Sequence, residues 1–230
     1  MKTLNVSGVL DFSSVDYPGK ISGVVWLTGC PLRCRFCQNS DVVMGRGFEI
    51  WSVDELKDKI MANFGFVEAV TFTGGEPSLQ AENLLELIKM LRKAGLKIHL
   101  NTNGYFPEKL EMLLEYVDYV SMDVKTTADK YHDLTGVVDT RGIMRSVELI
   151  LGKENLFREF RTTVVKGWND DTIAWIAKRV ADADLYVLNH FKNRDVMDEA
   201  FRSVEELNKD KMNELKYLAE KYVRAEVRGI

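Results

Sequence analysis

The sequence predicts an α/β protein, a partial (βα)6 TIM-like barrel, because short β-branched runs alternate six times with amphipathic helical segments. Its 230 residues, of which 46% are hydrophobic, suit one compact domain with a sizeable core. Parallel strands joined by helices need right-handed crossovers, and six units are fewer than the eight that close a TIM barrel. We therefore expect an open barrel. A doubly wound sheet is the alternative, because both folds have the same periodicity.

The predicted elements follow this alternation along the chain. Strands are expected at 22–28, 68–73, 97–101, 119–124, 158–165 and 185–191, with a short last strand at 225–228. Helices are expected at 52–64, 81–94, 107–115, 140–151, 170–181 and 204–222. Ser52, with Glu55 three residues later, forms a capping-box pattern that predicts where the first helix begins.

The chain is expected to be one domain over 1–230, with an N-terminal extension at 1–20, the barrel core at 21–191 and a C-terminal helix and strand at 192–230. The formal charge of −4 gives no electrostatic case for binding nucleic acid or an anionic membrane. The apolar runs are too short to span a bilayer, and the first residues lack the apolar stretch of a signal peptide. We therefore expect a cytoplasmic protein.

The three cysteines lie within eight residues, spaced Cys30-x3-Cys34-x2-Cys37. An odd and tightly clustered set is a poor disulfide framework, and in a reducing cytosol it more often binds metal or does chemistry. A [4Fe–4S] cluster normally takes four thiolates, so three would leave one iron open to a ligand, as a catalytic metal site requires. A structural zinc site is the alternative, although it would want a fourth Cys or His, and no histidine lies near in sequence.

Distinctive polar segments follow the other predicted strands. The second strand ends in Gly74-Gly75-Glu76-Pro77, the third in Asn101-Thr102-Asn103-Gly104 and the fourth in Asp123-Val124-Lys125. Arg161 lies in the fifth strand, and Asn189-His190 end the sixth. Because the active sites of parallel α/β folds lie at the carboxyl ends of the strands, we expect one ring of loops to converge on one site.

The three-cysteine motif, with Phe36 before its last cysteine, resembles the signature of the radical SAM superfamily. The segment Gly74-Gly75-Glu76-Pro77 resembles the second motif of that superfamily, which meets the methionine amino group of the cofactor. The resemblance implies a partial barrel of the radical SAM type and a metal-binding iron–sulfur oxidoreductase. It also implies that Cys30, Cys34 and Cys37 hold a [4Fe–4S] cluster, and that S-adenosyl-L-methionine binds with its adenine near Phe36.

Further segments resemble the glycyl-radical-enzyme activating enzymes. They are Asp16-Tyr17-Pro18-Gly19, Cys37-Gln38-Asn39, the segments at 101–104 and 123–125, and the stretch from Arg161 to Trp168. Over nearly the whole chain, the similarity is greatest to the long form of anaerobic ribonucleoside-triphosphate reductase activating protein, which is like pyruvate formate-lyase activating enzyme.

This resemblance implies a chemistry and a set of partners. Flavodoxin or ferredoxin would reduce the cluster, S-adenosylmethionine would be cleaved reductively, and the resulting 5′-deoxyadenosyl radical would remove a hydrogen from a backbone glycine of a large partner enzyme. The alternative is a radical SAM enzyme that acts on a small molecule, such as 7-carboxy-7-deazaguanine synthase. That family usually has Cys-Asp where this chain has Cys37-Gln38.

The resemblance also implies roles for the remaining candidates. Lys125 is expected to bind the cofactor carboxylate, with Asp123 orienting nearby groups. His190 is expected to contact the ribose or adenine, and Asp16 to meet the incoming glycyl loop. The other residues expected at the cofactor site are Asn39, Gly74, Gly75, Glu76, Pro77, Asn101, Thr102, Asn103 and Arg161.

Three positions depart from the pattern of pyruvate formate-lyase activating enzyme. Asn101 replaces an aspartate that helps bind a monovalent cation beside the cofactor carboxylate, which removes a negative charge from that place. Tyr17 replaces a glycine in the turn expected to face the substrate, and Gln38 replaces a histidine.

Overall fold

The computed structural model describes residues 2–230. The strands are β1 Thr3–Ser13, β2 Ser22–Leu27, β3 Glu49–Ser52, β4 Ala69–Gly74, β5 Lys97–Thr102, β6 Tyr119–Asp123, β7 Phe157–Val164, β8 Leu185–His190 and β9 Ala225–Arg228. The helices are α1 Ser40–Met44, α2 Val53–Met61, α3 Ala81–Lys93, α4 Pro107–Leu114, α5 Ala128–Thr135, α6 Arg141–Leu151, α7 Ile173–Arg179 and α8 Lys209–Ala219. Short 3₁₀ helices lie at Pro77–Gln80 and Glu199–Ser203.

All the strands belong to one sheet in the order β3-β1-β2-β4-β5-β6-β7-β8-β9. Strands β2, β4, β5, β6, β7, β8 and β9 pair in parallel, whereas β1 pairs antiparallel with β2, and β3 antiparallel with β1. The sheet is open, with β3 and β9 at its edges. The prediction of an α/β partial barrel is confirmed.

The two faces of the sheet carry different side chains because strand residues alternate between faces. Val70 and Phe72 of β4 are buried in the apolar core that the sheet shares with the helices. On the other face, Ser121 Oγ lies 2.8 Å from His99 Nε2 and 2.9 Å from Glu159 Oε1. A layer of buried polar contacts therefore lies beneath the carboxyl ends of the strands.

Most predicted elements lie within a few residues of the observed ones, and the capping box at Ser52 is present. The side chain of Ser52 accepts from the Glu55 N–H, and the Glu55 side chain accepts from the Ser52 N–H. No strand was predicted in the N-terminal extension, but Thr3–Ser13 forms β1 between β2 and β3. Strand β3, helices α1 and α5 and the two 3₁₀ helices were also not predicted.

The predicted helix at 204–222 is wrong in its first turn. Helix α8 begins only at Lys209, because the Asn208 side chain caps it by accepting from the Lys211 N–H at 2.8 Å. The segment before it leads from a 3₁₀ helix and brings the carbonyl of Leu207 to His190. In residues 2–230, no helix is long and apolar enough to cross a membrane.

Candidate active site

A cavity of about 520 Å³ lies at the carboxyl ends of the parallel strands. It collects side chains from the loop after β2 and from the ends of β4, β5, β6, β7, β8 and β9. The predicted site residues that line it are Cys30, Cys34, Phe36, Cys37, Asn39, Gly74, Gly75, Asn101, Thr102, Asn103, Asp123, Lys125, Arg161 and His190. The strands therefore bring most of the predicted site residues to one place.

The cysteine loop, residues 28–39, is held from both sides by backbone hydrogen bonds. The Arg33 and Arg35 N–H groups donate to the carbonyls of Thr135 and Leu134 at the end of α5. On the other side, the Asp198 N–H donates to the Arg35 carbonyl, and the Met197 N–H donates to the Cys37 carbonyl. The segment after β8 and the end of α5 therefore fix this loop while its three cysteines line the cavity.

The Arg35 side chain adds a clamp that the sequence analysis did not predict. Its guanidinium lies 4.5 Å from the ring centroid of Trp168 and 4.6 Å from that of Phe201. Its Nε donates to Asp198 Oδ2 at 2.6 Å. Cation–π contacts of this kind contribute about 0.5–1 kcal/mol each at exposed sites. The clamp ties the cysteine loop to the segment after β7 and to the 3₁₀ helix Glu199–Ser203.

The thiols of Cys30 and Cys34 are hard to ionise in the absence of a metal. Burial raises the pKa of Cys30 to about 12 and that of Cys34 to about 11. Metal ligands must be deprotonated, so binding at neutral pH would release these protons. Among residues 2–230, no group of three or more His, Cys, Asp and Glu side chains is arranged to hold a single metal ion.

The paired glycines allow the end of β4 to press against the cysteine loop. Gly74 has a φ of +117°, which favours glycine. A Cβ on Gly75 would lie 2.0 Å from the carbonyl oxygen of Gly29. Two backbone hydrogen bonds close this contact, from the Gly75 N–H to the Leu27 carbonyl and from the Glu76 N–H to the Gly29 carbonyl.

Three predicted site residues do not line the cavity. The Glu76 carboxylate is fully buried outside the cavity, where it accepts hydrogen bonds from Ser78, Thr102 and Asn103. Pro77 is also buried and begins the 3₁₀ helix after β4. The Asp16 carboxylate accepts from Ser13 Oγ at 2.5 Å.

The Asp16 backbone carbonyl, rather than its side chain, reaches the interior. It accepts hydrogen bonds from His99 Nδ1 at 2.7 Å and from Thr71 Oγ1 at 3.2 Å. The turn after β1 is therefore anchored to the polar face of the sheet beneath the cavity.

Charged side chains form one wall of the cavity. Asp123 Oδ2 lies 3.1 Å from Lys125 Nζ, and Asp123 Oδ1 lies 3.4 Å from Arg161 Nε. Arg161 Nη2 also donates to Asn101 Oδ1 at 3.0 Å. Burial acts to raise the pKa of Asp123, but the charges of Lys125 and Arg161 outweigh it and lower that pKa. Burial acts to lower the pKa of Lys125, but the Asp123 charge outweighs it and raises that pKa.

This wall has more positive than negative charge and leaves one donor without a partner. Lys125 and Arg161 both contact Asp123, and Arg161 Nε also lies 3.8 Å from Glu159 Oε1, but of these two carboxylates only Asp123 lines the cavity, so the wall suits an anionic ligand group. The Nε of Arg161 is buried and has no hydrogen-bond partner among the described residues. The Lys125 ammonium also lies 5.5 Å from the ring centroid of Phe36.

His190 also lines the cavity, where a backbone carbonyl holds one of its ring nitrogens. Its Nε2 donates to the Leu207 carbonyl at 2.6 Å, so Nδ1 of the neutral ring is an acceptor. That Nδ1 is buried and has no partner within residues 2–230. Nε2 is thus occupied by the Leu207 carbonyl, whereas Nδ1 is left to contact a ligand in the cavity.

Several lining residues were not predicted as site residues, namely Leu32, Gln38, Val43, Thr73, Thr163, Asn189, Phe191, Lys192, Arg228 and Gly229. The strand-end rule had already placed Asn189 beside His190, and it could also have found Arg228, which ends the last parallel strand. Gln38 donates to the Arg194 carbonyl at 2.9 Å and joins the cysteine loop to the segment after β8.

Comparison with known proteins identifies relatives of the chain. It is 36% identical over 233 residues to a protein of Methanocaldococcus jannaschii that is provisionally named as a glycyl-radical enzyme activating enzyme; the match covers 97% of this chain and 94% of the relative. It is 32% identical over 166 residues to the pyruvate formate-lyase 1-activating enzyme of Escherichia coli K12, covering 69% of this chain and 66% of the relative.

The fold is shared more widely than the sequence. The crystal structure of QueE from Escherichia coli matches with a TM-score of 0.62 at 13% identity and covers 100% of this chain and 96% of that one, a likeness of fold alone. The model of the Radical SAM superfamily matches residues 24–180, which include the cysteine loop and the ends of β4 to β7. The chain therefore belongs to the radical SAM superfamily, whose members use a [4Fe–4S] cluster and S-adenosylmethionine.

Proposed function

We propose that this protein is the activating enzyme of an anaerobic ribonucleoside-triphosphate reductase, on which it generates a glycyl radical. The observation that carries the proposal is the single cavity lined by Cys30, Cys34 and Cys37 and by the charged wall around Lys125. The relatives named as activating enzymes support a radical SAM activase. The similarity to the long form of the reductase-activating protein, which runs from Phe12 over nearly the whole chain, supports this particular partner.

The residues of the cavity fit a [4Fe–4S] cluster and S-adenosylmethionine. Three thiols would hold the cluster, and the described residues offer no fourth cysteine. When bound, this pair supplies an electron and a sulfonium whose reductive cleavage yields a carbon radical able to take a hydrogen from glycine. The unpartnered Nε of Arg161 and Nδ1 of His190 are a donor and an acceptor that a polar ligand would satisfy.

The chain's own groups would place the cofactor and keep its charge balanced. Lys125 and Arg161 would bind the methionine carboxylate, while Asp123 holds both cations in position. The backbone around Gly74 and Gly75 offers polar groups for the methionine amine, because neither glycine has a side chain to block the approach. The buried wall would also exclude water from the reacting atoms.

The remaining candidates would contact the adenosine part of the cofactor or supply further polar groups. Phe36 would pack near the adenine, and His190 would accept a hydrogen bond from the ribose or adenine. Asn39 and Thr102 are further polar groups of the same cavity. A flavodoxin or ferredoxin is the proposed reductant, because the chemistry needs one electron at a time.

A direct mixing experiment tests the proposal. The protein is reconstituted anaerobically, reduced, and mixed with S-adenosylmethionine and either the anaerobic ribonucleotide reductase or the pyruvate formate-lyase of the same organism. We expect a glycyl doublet in the electron paramagnetic resonance spectrum of the reductase, and none with the Cys34→Ala variant.

The other outcomes separate the alternatives. A doublet on pyruvate formate-lyase alone would replace the proposed partner but keep the activase. Formation of 5′-deoxyadenosine without a doublet on either enzyme would contradict the activase and favour a small-molecule substrate.

A further inference from the structure

One side-chain amide contacts a cysteine sulfur in the cavity. Asn103 Nδ2 donates to Cys30 Sγ, with 3.4 Å between the two atoms. Among the side-chain hydrogen bonds of residues 2–230, it is the only one that reaches a cysteine sulfur. Asn103 is 5% exposed, so water competes little for this contact.

The orientation of this amide is fixed by its other end. Asn103 Oδ1 accepts from the Tyr105 N–H at 3.0 Å. A backbone N–H can only donate, so the atom that faces it must be the carbonyl oxygen of the amide. The NH₂ group is therefore the one that faces Cys30, and a flipped amide would lose both contacts.

Glu76 fixes the backbone from which Asn103 projects. Its Oε2 accepts from the Asn103 N–H at 2.7 Å, and its Oε1 accepts from Thr102 Oγ1 at 2.7 Å. Thr102 Oγ1 in turn accepts from the Gly104 N–H at 3.1 Å. A fully buried carboxylate thus anchors three successive residues of the loop after β5.

We infer that Asn103 tunes the iron–sulfur cluster through its hydrogen bond to the Cys30 sulfur, and that Glu76 is the positioning residue that holds Asn103 in place. The inference rests on the proposed cluster. Hydrogen bonds to the ligand sulfurs are among the factors that set the potential of such clusters. A donated hydrogen bond offsets the negative charge that a cluster gains on reduction, so it favours the reduced form.

Measuring the cluster without S-adenosylmethionine or a partner enzyme tests this directly. The wild type and Asn103→Ala are reconstituted, poised at one fixed potential, and the ratio of reduced to oxidised cluster is read by electron paramagnetic resonance. We expect the ratio to fall about three- to tenfold in Asn103→Ala at equal iron content, because the lost hydrogen bond is stronger to the reduced, more negative cluster than to the oxidised one. A ratio equal to that of the wild type would overturn the inference.

Asn101→Ala is the matched control. Asn101 lines the same cavity with the same amide, but this amide accepts from Arg161 and does not contact a cysteine. Its removal should leave the ratio unchanged. An equal fall in both variants would assign the effect to general loosening of the cavity and would overturn the role of Asn103.

A second measurement does not depend on a variant at Asn103. Asparagine labelled with ¹⁵N only in its side-chain amide is incorporated into the wild type, and pulsed electron paramagnetic resonance is recorded on the reduced cluster. We expect a ¹⁵N coupling that persists in Asn101→Ala, and a loaded cluster without that coupling would overturn the inference while leaving the proposed function intact. A wild type that binds no cluster at all would overturn both.

Discussion

Replacing Glu76 by glutamine tests whether this carboxylate is structural, as its contacts indicate. Its Oε1 accepts from the Ser78 N–H at 3.0 Å and from the hydroxyls of Ser78 and Thr102 at 2.5 and 2.7 Å. Its Oε2 accepts from the Asn103 N–H at 2.7 Å. Every neighbour donates, so a carboxylate satisfies all of them and an amide cannot.

The magnitude follows from the donors that glutamine would leave unsatisfied. Wherever the new NH₂ group is placed, it faces a backbone N–H, of Asn103 or of Ser78, and that N–H loses its acceptor. A buried donor without a partner costs about 1–3 kcal/mol. Burial raises the pKa of Glu76, because a buried carboxylate carries a desolvation penalty. Glutamine does not carry this penalty, which offsets part of the loss. We expect Glu76→Gln to lower the free energy of unfolding by about 2 kcal/mol.

Urea unfolding of the metal-free protein under reducing, anaerobic conditions measures this change. Glu82→Gln is the matched control, because Glu82 is 64% exposed and its nearest cation, Lys109 Nζ, is 3.9 Å away. The control should stay within about 0.5 kcal/mol of the wild type. If Glu76→Gln also stayed within that range, the assignment of Glu76 as a buried anchor would be wrong.

Two further predictions concern pH and packing. Burial lowers the pKa of His99 from 6.5 to about 3, so below pH 6.5 the unfolded chain binds a proton that the folded chain does not. The free energy of unfolding should fall between about pH 7.5 and 5.5, with about 1.4 kcal/mol of the fall due to His99. In urea unfolding at each pH, His99→Asn should lack this part of the fall, and the exposed-site variant His132→Asn should keep it. The same dependence of the unfolding free energy on pH in both variants would contradict the assignment. A Cβ on Gly75 would lie 2.0 Å from the Gly29 carbonyl oxygen, so Gly75→Ala should separate the end of β4 from the cysteine loop and cost about 1–3 kcal/mol. Its iron content after reconstitution should fall, while Gly152→Ala, whose Cβ would lie 3.4 Å from its nearest neighbour, should bind iron like the wild type; equal iron in both would refute the packing argument.

The fold was predictable to the extent that burial dictates residue type. Strands β4, β5 and β6 are buried on both faces, so their apolar runs stand out in the sequence. Strand β1 escaped prediction because it alternates only in its first half, where Leu4 and Val6 are buried, and then exposes Leu10 and Phe12. Asn208 is a residue type that commonly caps helices, but the apolar periodicity already begins before it, so the start of helix α8 was predicted too early.

The site was predictable in its residues but not in their contacts. The strand-end rule gathers the cysteines, Lys125 and His190 without any knowledge of distances. The sequence could not show that Glu76 turns away from the cavity, because that depends on donors from the loop after β5, 26 and 27 residues further along the chain. The clamp of Arg35 between two aromatic rings is equally non-local.

The most direct test of the central claim is whether this cavity cleaves S-adenosylmethionine. Protein reconstituted anaerobically with iron and sulfide is reduced with S-adenosylmethionine present, and 5′-deoxyadenosine and methionine are quantified together. The account predicts both products in equal amounts from the wild type and neither from Cys34→Ala. A wild type that binds the cluster and the cofactor but forms no 5′-deoxyadenosine would contradict it.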